Sequence, residues 1–412
     1  MKLNWGKTFV LGFGFLAISA VWPLYDSYMP NFLESHVPAF LAPWAGIVVG
    51  LIMGIDNLLG LTLQPWISAR SDRTHTRWGR RRPYLLVGMP IATVALALLM
   101  FTFDKGWGLL VPTIFVLTLS MALFRSPTVA LMPDLTPPPL RSKANGVINF
   151  MGGIGAAIVL FAGKELYKAS PGLPFVAAGA IMLVVWLLFV FVIREPEVPQ
   201  ADSESDETPQ SLIAAMKHMV EHRDWNAIRL LLAIFSWFVA YQAVNTWFTT
   251  YSAERFHVPI NTASGALLGY TGAFIVGALP AGYVGTWIGR RRAITIGLVG
   301  MIASFGAMHF VGSLSQMTIL LVVAGLFWSL ININSFPMVW QICHPSQTGT
   351  YTGLYYIFSG IAGFVSPSIA GALFTVWGSK RPLFIMGAVF MALALFFMAS
   401  VKKGEAEKSA AA

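Results

Sequence analysis

The chain has 412 residues, 56% of them hydrophobic and 11% charged, with a formal net charge of +9. Mean hydropathy is +0.68 and the pI lies near 9.7. A basic balance points toward nucleic acid, but soluble domains carry about 25% charged residues, so this composition excludes that class and describes an integral membrane protein embedded in lipid.

A bilayer core about 30 Å thick needs about 20 apolar residues per helical span. Twelve runs of that length are present, at 7–29, 44–66, 83–102, 107–131, 142–164, 173–193, 226–250, 262–286, 293–312, 316–340, 348–374 and 381–400. They lack the alternation of barrel strands and predict helices. The first follows Lys2 and Lys7 as a signal peptide would, with Ala17-Ile18-Ser19-Ala20 resembling a cleavage site. It is longer than a signal core and is read as a span. Asp26, near its far end, is a candidate rim or gate residue.

Span two carries Asp56 at mid-depth in MGIDNLLG, with Asn57 beside it. The stretch RSDRTHTRWGRRRP (70–83) then holds six arginines between two apolar runs, and predicts a short basic turn. Asp72, Arg73, Gly79, Arg80, Arg81 and Arg82 there, with Asp134 and Arg141 after span four, are expected to form a gate of ion pairs near helix ends that exist in one conformation and break in another. Within span four lies Arg125.

Ionisable groups inside spans cost about 2.5–3.5 kcal/mol on insertion scales and are functional candidates by default. Three readings stand for Asp56. It is a coupling carboxylate, whose proton occupancy answers to desolvation and a nearby cation, or half of a permanent ion pair with Arg125, or a group that only hydrogen-bonds to a neighbouring helix. Arg125 in turn either neutralises Asp56 or pairs structurally with Asp134 or a helix C-terminus.

The remaining spans offer amides and aromatics. Aromatic faces offer packing surface and amides offer hydrogen bonds, so spans that mix the two are candidates for a polar binding site. Span five supplies Asn149, and GGIGAA (152–157) in it is a helix-packing stretch, because no strand precedes it. The acidic, Pro-rich segment EPEVPQADSESDETPQ follows span six and reads as a disordered linker. Span seven places Tyr241, Gln242 and Asn245 on one helical face, span ten carries Trp328, Asn332 and Asn334, and span eleven has Tyr356 as the counterpart of Asn149. A single amide in a membrane helix more often bonds a neighbouring helix, but the set predicts a polar cavity. Trp44, Trp107 and Trp377 near span ends are expected in the interfacial belt.

Lysine and arginine number 20 on the side of the termini and 6 on the opposite side, which predicts cytoplasmic termini. A plasma (inner) membrane location is expected. A repeat is visible: Gly79 to Arg82 recurs as Gly289-Arg290-Arg291-Arg292 at an offset of 210, and Gly146, Gly153 and Ile154 recur as Gly353, Gly360 and Ile361 at 207. Arg290 and Arg291 are accordingly added to the gate residues. The expected organisation is an all-α membrane protein of two pseudo-symmetric six-helix bundles, 1–193 and 223–412, joined by a linker at 194–222. That is the architecture of a rocking carrier with its substrate between the halves.

SDRTHTRWGRRRP resembles the loop motif of the major facilitator superfamily, with the extra residues typical of sucrose and maltose carriers related to the glycoside-pentoside-hexuronide cation symporters. ALMPDLTPPPLRSKANGVINFMGG (130–153) and WSLININSFPM (328–338) are similar to the same branch. The resemblance implies the major facilitator fold and cation-driven, most often proton-driven, uptake of a glycoside such as sucrose or maltose. Plant sucrose carriers have an acid where Thr118 aligns here, and an acidic partner before Gly289 is missing, so those two features do not carry over.

The expected partners are therefore a small sugar, a coupling cation and the bilayer, with no nucleic acid and the chain a monomer. The one cysteine, Cys343, gives no internal disulfide or thiolate cluster, and no metal or cofactor is expected. An enzyme would need a constellation such as HExxH, a Walker loop or GxSxG, and the sequence has none of them. The rival within the same class is a proton-coupled carrier or exporter of another small solute or drug, whose site would be aromatic and Met-rich with few amides.

Overall fold

A computed structural model of the chain describes residues 5–136, 141–193, 195, 216, 219, 221, 224–342 and 348–401, without the side chains of 133, 141–143, 145, 348 and 349. Among the described residues every regular element is helical and no strand occurs. Hydrocarbon offers no water to backbone N–H and C=O groups, so the apolar runs close their hydrogen bonds internally.

In chain order the helices are α1 (Trp5–Ser35), a 3-10 turn (Ala39–Trp44), α2 (Ala45–Asp72), α3 (Arg82–Thr102), α4 (Trp107–Leu135), α5 (Arg141–Ala169), α6 (Leu173–Val192), α7 (Trp225–Phe256), α8 (Ile260–Gly265), α9 (Leu267–Ile288), α10 (Arg290–Phe310), α11 (Leu314–Ile342), α12 (Thr348–Trp377) and α13 (Leu383–Ala399). With α8 and α9 counted as one, eleven helices among the described residues are long and apolar enough to cross a bilayer, and the twelfth apolar run forms the 17-residue α13.

Two expectations change. The basic turn expected over 70–82 shortens, because α2 runs on to Asp72 and carries Arg70 in its last turn. A helix already nucleated in the membrane extends past it at little cost. Span eight, read as one run over 262–286, is one span over Ile260–Ile288 that tightens at Ala266, where the Gly269 N–H bonds the Ala266 carbonyl at 3.1 Å in a 3-10 step.

The chain forms two compact units. Unit 1 comprises Met1–Ala45, Ile52–Asp206 and Ile260–Gly265; unit 2 comprises Gly46–Leu51, Glu207–Pro259 and Ala266–Ala412. In unit 1, α1 packs on α5 and α6, and α3 on α4 and α6. The short α8 is seated on α5 and α1: the Asn261 amide donates to the Lys164 carbonyl at 3.3 Å, and the hydroxyls of Tyr28 and Ser264 lie 2.9 Å apart.

In unit 2, α7 packs on α12 and α13, and α11 on α9 and α10. The first turns of α2 belong here, laid against α12 with backbone on backbone. A Cβ on Gly50 would stand 2.5 Å from the Pro367 carbonyl, so only glycine fits that approach. The fully buried Trp247 donates its Nε1–H to the same carbonyl at 2.9 Å. Asp224 caps α7 by accepting the Ala227 N–H at 3.3 Å.

Candidate functional site

Three polar or aromatic clusters stand out, two in unit 1 and one in unit 2. The first surrounds Asp56. It is half-buried on α2, and its carboxylate accepts a hydrogen bond from the Asn57 amide at 2.9 Å. Asp56 and Asp26 both act electrostatically on the buried Tyr25, and Arg125 on Asp56. Tyr25 donates to the Ile52 carbonyl at 3.4 Å and stands edge-on to Trp22 at 5.8 Å. Arg125 lies over the Trp22 ring at 6.0 Å. Asp26, Asp56, Asn57 and Arg125 are thus gathered around Tyr25 and Trp22, which the sequence reading had not singled out. Asp26 and Asp56 are half-buried and Arg125 is exposed, and the two acids and one base form a charge group whose balance shifts with one proton. Asn149, by contrast, is exposed on α5.

The second cluster is the basic turn. Arg81 donates Nε–H to Asp134 at 3.0 Å with both side chains about 5% exposed or less, and also reaches Asp72 and the Ser71 hydroxyl. Arg80 bonds the other Asp134 oxygen at 2.8 Å, and Arg82 donates to the Val190 carbonyl at 2.7 Å. A partner missed in the sequence completes it: Glu195 accepts the backbone N–H groups of Arg80 (2.8 Å), Arg81 (2.9 Å) and Arg82 (2.7 Å). Gly79, at φ +104°, turns those amides toward one point, and a Cβ there would collide with the Glu195 carboxyl. An acid directly after span six was the available signal. These contacts join α2, α3, α4 and the residue beyond α6 of a single unit. Arg73 caps α2 through its backbone N–H, and the Arg141 side chain lies outside the described residues.

In unit 2 the corresponding arginines use backbone carbonyls. Arg290 donates to Pro337 at 2.9 Å and Arg291 to Ala399 at 2.7 Å.

The third cluster is aromatic. Tyr241 and Trp328 stack parallel with centroids 4.4 Å apart, and Phe238 stands edge-on to both. Tyr270 lies 6.4 Å on from Tyr241. A cavity of about 20 Å³ opens here, lined by Tyr241, Val244, Asn245, Leu267 and Tyr270 among others. Gln242 and Asn332 are half-buried nearby in sequence. Two expected binders point elsewhere: both donors of Asn334 go to the carbonyls of Ala281 (3.0 Å) and Leu330 (2.9 Å), and Tyr356 is exposed beside Phe336. Asn334 therefore holds α11 to α9, which is the commoner use of a membrane amide. Trp107, expected in the belt, bonds the Leu33 carbonyl at 2.9 Å.

Comparison with known proteins gives both relatives and a fold. The Tetracycline resistance protein, class E, of Escherichia coli is 27% identical over 276 residues, covering 64% of each chain. The Isoprimeverose transporter of Lactiplantibacillus pentosus is 21% identical over 314 residues, covering 72% of this chain and 62% of its own. The Sucrose transport protein SUC3 of Arabidopsis thaliana is 28% identical over 128 residues, covering 26% and 22%. Each match spans less than two thirds of the relative's length. In structure, the nucleoside transporter NupG aligns over 96% of this chain and 100% of its own with TM-score 0.77 and 12% identity. An inward-facing bacterial homolog of the human lysosomal transporter Spinster aligns over 96% of both at TM-score 0.76 and 14% identity. The family model described as Major Facilitator Superfamily matches residues 8–367 and 256–412.

Proposed function

This chain belongs to the Major Facilitator Superfamily, and from that premise we propose that it takes up a sugar, most simply a disaccharide such as sucrose or maltose, together with a proton. The chain is a multi-span membrane transporter of a small solute and not an enzyme. Both termini are cytoplasmic in this reading, the membrane is the inner or plasma membrane, and the monomer works by alternating access.

The observation that carries the coupling is the Asp56 cluster. A carboxylate inside a span, bonded by Asn57 and acted on by Arg125, is the group whose proton occupancy changes with hydration as the site opens to either side. The sugar rests on two supports: relatives named as sucrose and isoprimeverose transporters, and the Tyr241, Asn245 and Trp328 neighbourhood, which combines aromatic faces with an amide.

Purified protein in liposomes tests it directly, by recording external pH in weakly buffered medium when sucrose, maltose or glucose is added. Sugar-dependent alkalinisation outside is expected. Absence of a response to every sugar in folded protein overturns the sugar–proton reading.

A second reading, export of a lipophilic drug, is favoured by the relative named for tetracycline resistance and by the aromatic density around Tyr241. Competition separates the two: a lipophilic cation displaces substrate from a drug site, whereas sucrose or maltose displaces it from a sugar site.

A further inference from the structure

We propose that the groove between α10 and α11 binds one anionic phospholipid, with an acyl chain along the groove and the headgroup phosphate on Arg292. The site is independent of which solute the chain carries.

The first observation is an imbalance of charge. In unit 1 the arginines after Gly79 meet acids of the chain itself: Arg80 and Arg81 pair with Asp134, and Glu195 accepts three backbone amides. Their counterparts after Gly289 have no such acids nearby in the sequence, because no Asp or Glu occurs between Glu254 and Glu405. The carbonyls of Pro337 and Ala399 accept from Arg290 and Arg291 without neutralising them, and Arg292 is exposed. Three adjacent positive charges then draw their counter-charge from the surroundings, and at a membrane surface anionic headgroups supply it.

The second observation is the shape beside Arg292. Arg292, Thr295, Ile296, Val299 and Ala303 recur at three- and four-residue spacing and share one face of α10. From Thr295 onward that face lines a groove of about 580 Å³, with Leu320, Val323 and Phe327 of α11 opposite. Over a rise of about 14 Å from Thr295 to Ser304, the volume corresponds to a cross-section of about 40 Å², half that of a helix about 10 Å across. One hydrocarbon chain fits it and a whole helix does not. Thr295 donates its hydroxyl to the Arg291 carbonyl at 2.9 Å, and Ser304 to the Gly300 carbonyl at 2.7 Å. Neither hydroxyl proton is therefore available to a polar solute.

Depth joins the two. Ala303 lies eleven residues beyond Arg292, about 16 Å, which is close to half of a hydrocarbon core about 30 Å thick. Trp287, 85% exposed at the end of α9, marks the level just before the arginines as interfacial. The groove thus runs through one leaflet, the cytoplasmic one in the orientation read above, where anionic lipids are enriched.

Native mass spectrometry of the full chain tests the site, by titrating detergent-solubilised protein with dioleoyl phosphatidylglycerol or dioleoyl phosphatidylcholine, which share their chains and differ in charge. One phosphatidylglycerol should bind the monomer about fivefold tighter than phosphatidylcholine. Arg292→Gln should remove most of that preference and Arg292→Lys should keep it. Ala303→Phe, which fills the far end of the groove from an exposed position, should weaken both lipids. Raising the ammonium acetate concentration should reduce the wild-type preference, a readout that needs no variant. Excess inorganic phosphate should not displace the lipid. Equal binding of the two lipids overturns the site, as does a preference unaltered in R292Q or affinities unaltered in A303F. Displacement by phosphate alone would reduce it to a bare anion site, and dimers lost in A303F would assign the groove to a second copy of the chain.

Discussion

Asp56 stands inside a span beside Asn57, where a coupling carboxylate would take up and lose its proton. If Asp56 couples, Asp56→Asn should abolish uphill uptake while leaving downhill exchange, measured with labelled sugar in counterflow; loss of both assigns it to structure. A charge in an apolar run is conspicuous, so Asp56, Asp26 and Arg125 were legible as candidates, and the structure gathers them around Tyr25 and Trp22. Amides were less legible. Asn245 and Asn334 look alike in the sequence, but one lines a cavity and the other gives both donors to backbone carbonyls. Asn334→Ala should therefore lower the melting temperature, by the equivalent of about 1 kcal/mol, and leave KM unchanged.

At the level of elements, the arginine block was legible as a turn between spans two and three, and the glycines as packing residues. Which atoms they meet was not, because partners far apart in sequence decide it. Glu195 is the clearest case, accepting three successive amides 113 to 115 residues away. Charge-assisted bonds of this kind are worth about 1.5–3 kcal/mol, so Glu195→Ala should lower thermal stability and Glu195→Gln, which keeps the acceptor, should lower it less. Differential scanning fluorimetry of the two variants checks the order. The 3-10 step at Ala266 was missed although Ser264-Gly265, a dipeptide that marks turns, directly precedes it.

Across the whole molecule, the repeat read from Gly79 and Gly289 reappears as geometry. Both glycines have positive φ, +104° and +96°. Arg82 donates to Val190, and Arg291 to Ala399, each 108 residues ahead. The hydrogen bonds are thus offset by 209 and the glycines by 210, a one-residue slip that sequence alignment of the arginines alone does not detect. Orientation is the property most open to test at this scale. In a Cys343→Ser background, Lys105→Cys should react with a membrane-impermeant thiol reagent added to intact cells, and Arg292→Cys only after permeabilisation. The reverse pattern would invert the topology.

The reciprocal placement of Gly46–Leu51 in unit 2 and Ile260–Gly265 in unit 1 means that the covalent midpoint of the chain and the seam of its architecture are different places. A chain severed in the linker would yield fragments that each lack a short piece of their own packing. The N-terminal fragment would lose the Ser264 hydroxyl that faces Tyr28, and the C-terminal fragment would lose the glycine backbone that lies along Pro367. Split expression would then be a complementation assay, in which neither fragment is stable until the other restores the piece on loan.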